Sequence, residues 1–278
     1  MAGKGGVGKT TVTAVLARAA IRSGLRVLVV ELDGKPTLDE LLPGVEVRHI
    51  SASAALAEYL DTHGLSRVAK RLASSGIIDV VATASPGIDD IVVLGKLKQL
   101  ERSGDWDLVV VDGPAAGHAI TFLLAAKGLL ATVRGGPIAT QATDVAEMLA
   151  DPGRCQVVLV TLPEATPVNE AVETAYALEE RVGVHLAPVV VNAVDDGPLL
   201  PVEAAKAGSP QQAAAEFRNA RRRLHAGECA RLGTELALPQ IHLPMLPGAV
   251  LDAAAVDALA ATWADGADRS EASEGSDG

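Results

Sequence analysis

Nine residues near the start of the chain, Gly3 to Thr11, read GKGGVGKTT, and no other stretch limits the fold so sharply. The spacing G-x-x-x-x-G-K-[ST] is met by Gly3, Gly8, Lys9 and Thr10. Glycines at these places let consecutive backbone N–H groups, those of Gly5, Gly6, Val7 and Gly8 among them, turn inward around phosphate oxygens. Lys9 then reaches the outer phosphates, and the Thr10 hydroxyl is offered to Mg²⁺ with Thr11 beside it. Such a loop must open a helix whose N-terminus faces the same anion. The following TTVTAVLARAAIRSG supplies that helix, with Val12, Leu16, Ala19 and Ala20 on one face and Gly24 as its stop.

Four apolar runs follow the loop: RVLVVELD (Arg26–Asp33), WDLVVVD (Trp106–Asp112), CQVVLVTL (Cys155–Leu162) and APVVVNAV (Ala187–Val194). None alternates with polar residues, as expected of strands covered on both faces in a parallel sheet. Helical stretches separate them. The pattern predicts an α/β fold with a doubly wound, mostly parallel sheet, in which ligands sit beyond the carboxyl ends of the strands. A single domain over residues 1–265 is expected, with a helical subdomain from about 51–103 and 119–150. The polar, acidic 266–278 tail reads as disordered.

Composition narrows the partners. A formal charge of −11 repels phosphate backbones, which disfavours a nucleic-acid-coating role. Cys155 and Cys229 are far apart and form no C-x-x-C pair, and no apolar signal segment opens the chain, so a reducing, cytoplasmic setting is expected. The longest apolar stretch, FLLAAKGLLATV, is too short for an integral membrane segment. The arginines at 218, 221, 222, 223 and 231 lie on one predicted helix, from Gln211 to about Arg231, whose basic face reads as a solvated surface.

A phosphate loop does not require Lys4. A lysine on the loop's rim points away from its own nucleotide and toward charge presented by a second subunit. K-G-G-V-G-K-T resembles the deviant Walker A loop of the MinD, ParA, nitrogenase iron protein and ArsA group. In that group the corresponding lysine reaches across a nucleotide-sandwich dimer. The segment D-G-P-A-A-G-H, Asp112 to His118, is similar to the second switch of the ArsA and guided-entry (tail-anchored protein targeting) ATPases, D-T-A-P-T-G-H. SPGIDDIVVL, TLPEATPVNEAVET, the Asn192 that ends APVVVNAV, and PMLPG at Pro244–Gly248 extend the likeness in order to about residue 260.

That resemblance implies a P-loop ATPase using ATP and Mg²⁺. It assigns Lys9, Thr10 and the loop backbone to the nucleotide, Lys4 to catalysis across the dimer, and Asp33 to the metal and the hydrolytic water. Asp112 would serve the metal shell, and Gly117 and His118 the γ-phosphate switch. Asn192 would read adenine, and Glu170 would contact the partner's nucleoside. The implied partners are a second copy or a paralogue, and a client protein.

The sequence departs from the family in four ways. Asp33 is followed by Gly34, Lys35 and Pro36 where the family has D-P-A-H. The zinc-binding C-x-x-C of the targeting ATPases is replaced by PQQAAAEFRNARRR, and the metalloid cysteines and tandem second half of arsenite pumps are absent. Three Met residues do not make a Met-rich client groove. Finally, a phosphate loop is ordinarily aimed by a strand of about five to six residues, which Met1 and Ala2 cannot supply, so an apolar strand upstream is expected. A MinD/ParA-like spatial regulator and a hydrolysis-deficient subunit of a hetero-pair remain open alternatives.

Overall fold

The computed structural model describes residues 1–32, 36–62, 87–246 and 250–274. Helix α1 (Lys9–Arg22) leaves the loop and leads to β1 (Val27–Glu31). All five residues of β1 are buried, as a strand sandwiched between helical layers requires. A short α2 (Thr37–Leu41) and β2 (Glu46–His49) follow, then α3 (Ala52–Thr62), α4 (Ile88–Arg102) and β3 (Leu108–Asp112). Helices α5 (Ala116–Thr132) and α6 (Pro137–Ala150) precede two short strand pieces, β4 (Gln156–Val157) and β5 (Val160–Thr161). Next come α7 (Ala165–Tyr176), which passes into a π-helical turn at Ala177–Val182, then β6 (His185–Leu186) and β7 (Val189–Val194). Helix α8 (Pro210–Glu235), β8 (Gln240–Pro244) and α9 (Ala253–Glu274) complete the order.

The named pairings among the described strands are all parallel, in the orders β2-β1-β3, β4-β6 and β5-β7-β8. Two apolar clusters lie on opposite faces. One gathers Val12, Val15, Leu38 and Val256 from α1, α2 and α9. The other gathers Leu94, Phe122, Met148 and Leu178 from the α4, α5, α6 and α7 side. With 2% aromatics in the chain, these faces are built mainly from Ala, Val and Leu. Each fully buried Val or Leu contributes about 1.5–3 kcal/mol.

Three details differ from the sequence expectation. CQVVLVTL is not one strand but two pieces with different neighbours, β6 and β7. Strands β2 and β8, with their exposed residues, escape an apolar-run search because they are edge strands. The last helix continues to Glu274, through residues whose composition reads as a disordered tail. Helices α3, α4, α5 and α6 occupy the segments expected to be helical, apart from 63–86, which lie outside the described residues.

Candidate functional site

The loop turns through left-handed backbone at Gly6 (φ 87°) and Gly8 (φ 92°), a conformation that costs a residue with a Cβ about 1–2 kcal/mol. A Cβ on Gly8 would also lie 2.2 Å from Asn192 Nδ2. Gly5 and Gly6 face open space. Gly8 caps α1 without a side-chain bond, and no acidic residue stands in the helix's first turn. The positive end of the helix dipole, with its unshared amides, is therefore presented to the space above the loop. Lys9 Nζ arches back to the Lys4 carbonyl at 3.4 Å, a long contact that leaves its charge available.

Directly below, Thr10 Oγ1 donates to Asp112 Oδ2 at 2.7 Å, and Thr13 Oγ1 to Asp112 Oδ1 at 3.3 Å. Strand pairing explains the meeting. Asp112 ends β3, and β3 lies beside β1 in a register that pairs Asp112 with Glu31. Burial pushes the Asp112 carboxyl above its ordinary pKa, against Thr10, the chain's amino group, Lys9 and Thr13. A buried carboxylate held by two hydroxyls has hard oxygen donors and an unmet demand for positive charge, and both suit Mg²⁺.

Asn192 is held in place by a bulge. Between the pairs Val191–His242 and Val194–Pro244, β7 spends two residues against one of β8, and Ala193 takes a positive φ of 56°. The extra residue re-aims Asn192, whose Nδ2 donates to the Val7 carbonyl at 2.9 Å. In this structure the amide expected to read adenine supports the loop from beneath. Gly3 O accepts from Ala116 N at 2.9 Å, which ties the loop to the start of α5. Gly117 and His118 sit exposed in the first turn of α5, where amides have no helical partner. His118 also lies near Asp90, whose carboxyl burial pushes up and His118 pulls down.

Lys4 forms an ion pair with Glu170 of α7 within the same chain; their side chains are 37% and 40% exposed. Glu170, expected to meet a partner's nucleoside, is thus engaged at home. Asp33, Gly34 and Lys35 lie outside the described residues, as do Pro247 and Gly248 of the expected base-lining loop. The arginines of α8 are mostly committed internally. Arg218 holds buried Asp195, Arg222 reaches the Asp196 carbonyl, and Arg231 pairs with Glu228 and Glu235.

A cluster joining β1, α2 and β2 was not anticipated. His49 Nδ1 lies 3.0 Å from Glu31 Oε2, and Nε2 lies 2.9 Å from Asp39 Oδ2. Glu31 first, then Asp39, raise the His49 pKa from 6.5 against partial burial. Since the folded value lies above the unfolded one, the stability this link contributes is complete below about pH 6.5 and lost as pH rises through the raised value. Melting temperatures measured from about pH 5.5 to about pH 9 should fall more steeply for the wild type than for His49→Gln, and superimposable profiles would refute the assignment. The imidazole is 41% exposed, so solvent screening keeps the effect small. The only sequence hint is the apolar run that places Glu31 at a strand end.

Residues 1–134 match the anion-transporting ATPase family. ATPase BagA of Mycobacterium tuberculosis is 32% identical over 232 residues, covering 74% of this chain and 67% of BagA. An arsenical pump-driving ATPase of Escherichia coli is 32% identical over 195 residues, 66% of this chain but only 32% of the pump ATPase. ATPase get3 of Schizosaccharomyces japonicus is 29% identical over 135 residues, 44% of this chain and 41% of its own. No described helix is long and apolar enough to cross a membrane. The loop, the Thr10–Asp112 pair and the parallel α/β sheet thus accompany a likeness that covers two thirds of BagA, and the chain belongs to the ArsA-type, anion-transporting ATPase family.

Proposed function

We propose that the chain binds ATP with Mg²⁺ on the loop Gly3–Thr11 and hydrolyses it as two facing protomers, using the change of nucleotide to act on a partner protein. The observation that carries this reading is the 2.7 Å contact of Thr10, in the open first turn of α1, with buried Asp112, whose carboxyl also feels the Lys9 charge. Thr10 and Asp112 are the residues to hold the metal, which when bound neutralises charge on the phosphates. Lys9 and the amides of Gly5, Gly6, Val7 and Gly8 orient the phosphate chain, and the exposed Gly117 amide is placed to sense its last group. Asp33, outside the described residues, is assigned the hydrolytic water by the resemblance, since a carboxylate there can accept its proton.

Lys4 supplies the part that needs two copies. Its pairing is with Glu170 of α7, and both side chains remain open to solvent, which supports a role outside its own loop. When two protomers face each other, Lys4 exchanges this carboxylate for the neighbour's phosphate, and Glu170 is released toward the neighbour's nucleoside. A fixed cation at a phosphoryl-transfer centre accelerates it by about 10³–10⁵-fold. Lys4→Ala should therefore bind MgATP within about threefold of wild type while losing at least about 100-fold in turnover. It should also lose ATP-dependent pairing in sedimentation. Wild-type turnover by this variant would refute the paired mechanism, and pairing without turnover by the intact chain would favour a subunit that relies on a paralogue.

A further inference from the structure

Strands β3, β1 and β2 each end on a titratable residue: Asp112, Glu31 and His49. The parallel registers set Glu31 between the other two, so the three form one row across the carboxyl ends of adjacent strands, about 4.8 Å from strand to strand. Residues level with one another in parallel strands point to the same face, and here it is the face of α1. Asp112 accepts from Thr10 and Thr13 of that helix. Val29 and Val110, two residues before Glu31 and Asp112, lie in the apolar cluster with Val12 and Val15 of α1.

Glu31 is 2% exposed, and a glutamate is almost never buried so fully unless it is paired. His49 meets it from the β2 side and is itself met by Asp39 of α2. That bonding explains how Glu31 is held but not why the position is acidic, since a glutamine would serve the imidazole as well. On its β3 side stands Asp112, a second buried carboxylate. Like charges on neighbouring strand ends oppose each other, and the one imidazole of the row is shared with the third carboxylate, Asp39. The row is thus short of positive charge toward the end where Thr10 meets Asp112. It is not a metal site in its own right. Both ring nitrogens of His49 are taken, and among the described residues no group of three His, Cys, Asp or Glu residues could hold a metal ion alone.

We propose that Glu31 is a further residue of the nucleotide site, the second carboxylate that favours a dication beside Asp112, with His49 and Asp39 as its positioning residues. The inference rests on the reading of the loop Gly3–Thr11 as an MgATP site. Mg²⁺ dehydrates reluctantly and is held by one or two carboxylates together with phosphates and its remaining waters. Glu31 acts in the outer shell, as an acceptor for such water and as a fixed negative charge. Outer-shell partners of this kind are worth about 10–100-fold in metal affinity. His49 and Asp39 keep the carboxylate at the strand end, where its charge adds to that of Asp112.

The test measures Mn²⁺ binding by electron paramagnetic resonance to the full chain saturated with adenylyl imidodiphosphate, with thermal melts alongside. Glu31→Gln is expected to weaken Mn²⁺ about tenfold or more, while binding the nucleotide analogue in chelator within about threefold of wild type. His49→Ala should weaken Mn²⁺ about threefold, and adding it to Glu31→Gln should cost nothing further, because it acts only through that carboxylate. Wild-type Mn²⁺ affinity in Glu31→Gln beside a loss in Asp112→Asn would overturn the proposal and leave the ATPase reading standing. Wild-type affinity in both would overturn the two together. Should Glu31→Gln fail to fold, His49→Ala decides, since its side chain is 41% exposed: the threefold loss carries the proposal and wild-type affinity overturns it.

Discussion

Lys9→Ala is expected to weaken MgATP binding by roughly 100-fold or more while leaving the melting temperature nearly unchanged. Two decades correspond to about 2.7 kcal/mol, the scale of a lost charge-assisted contact to phosphate. The structure argues for this separation of effects. Lys9 Nζ has a long 3.4 Å contact with the Lys4 carbonyl, so little folding energy rests on it. On the proposed function it is the loop's own cation for the nucleotide. Lys9→Arg should rescue poorly, because a planar guanidinium does not replace a compact ammonium in a space shaped by backbone. Calorimetric titration with MgATP reads the first quantity and a thermal melt the second. A dissociation constant within about threefold of wild type would place the triphosphate elsewhere.

Asp112→Asn should have opposite effects on stability and on activity. The carboxyl is 8% exposed and its pKa is raised, chiefly by burial. A folded value above the unfolded 3.8 means that the native state keeps this proton longer, so stability falls as pH rises from 3.8 through the raised value. Asparagine removes that dependence. It keeps an acceptor for Thr10 and turns a donor toward the Thr13 hydroxyl, whose oxygen can accept. The variant is expected to melt higher than wild type near neutral pH without nucleotide. Mg²⁺-dependent hydrolysis should drop at least about 100-fold, since a neutral amide is a poor partner for a hard dication. Binding of ATP in the presence of a chelator should change little. A variant that melts lower and hydrolyses normally would contradict both the electrostatic reading and the metal assignment.

What the sequence reveals of this site depends on how far apart the cooperating residues lie. The loop is legible because the contiguous residues Gly3 to Thr10 encode a backbone shape, and Gly6 and Gly8 adopt the left-handed conformations that shape needs. Asp112 is legible because an apolar run that stops at a carboxylate marks a strand's carboxyl end. The function of Asn192 as a support for Val7 is not legible, because it depends on a bulge at Ala193 that no turn residue announces. The link from His49 to Glu31 and Asp39 requires the register of an edge strand, β2, whose polar residues hide it. The intrachain pairing of Glu170 with Lys4 is not legible either, because the two residues lie far apart in the sequence and meet only through the fold. The division of CQVVLVTL reflects its neighbours, since Ala2 bridges it at Leu159, between the two pieces.

The bond from Ala116 N to Gly3 O has a mechanical consequence. It spends the first amide of a 17-residue helix on the backbone of the phosphate loop, so the rod and the loop share an anchor. At 1.5 Å rise per residue, a shift at that anchor arrives about 24 Å away at the Thr132 end, because axial compression of a hydrogen-bonded helix is resisted by every turn at once. On the proposed function, a nucleotide that displaces the loop therefore moves the far end of this helix with it.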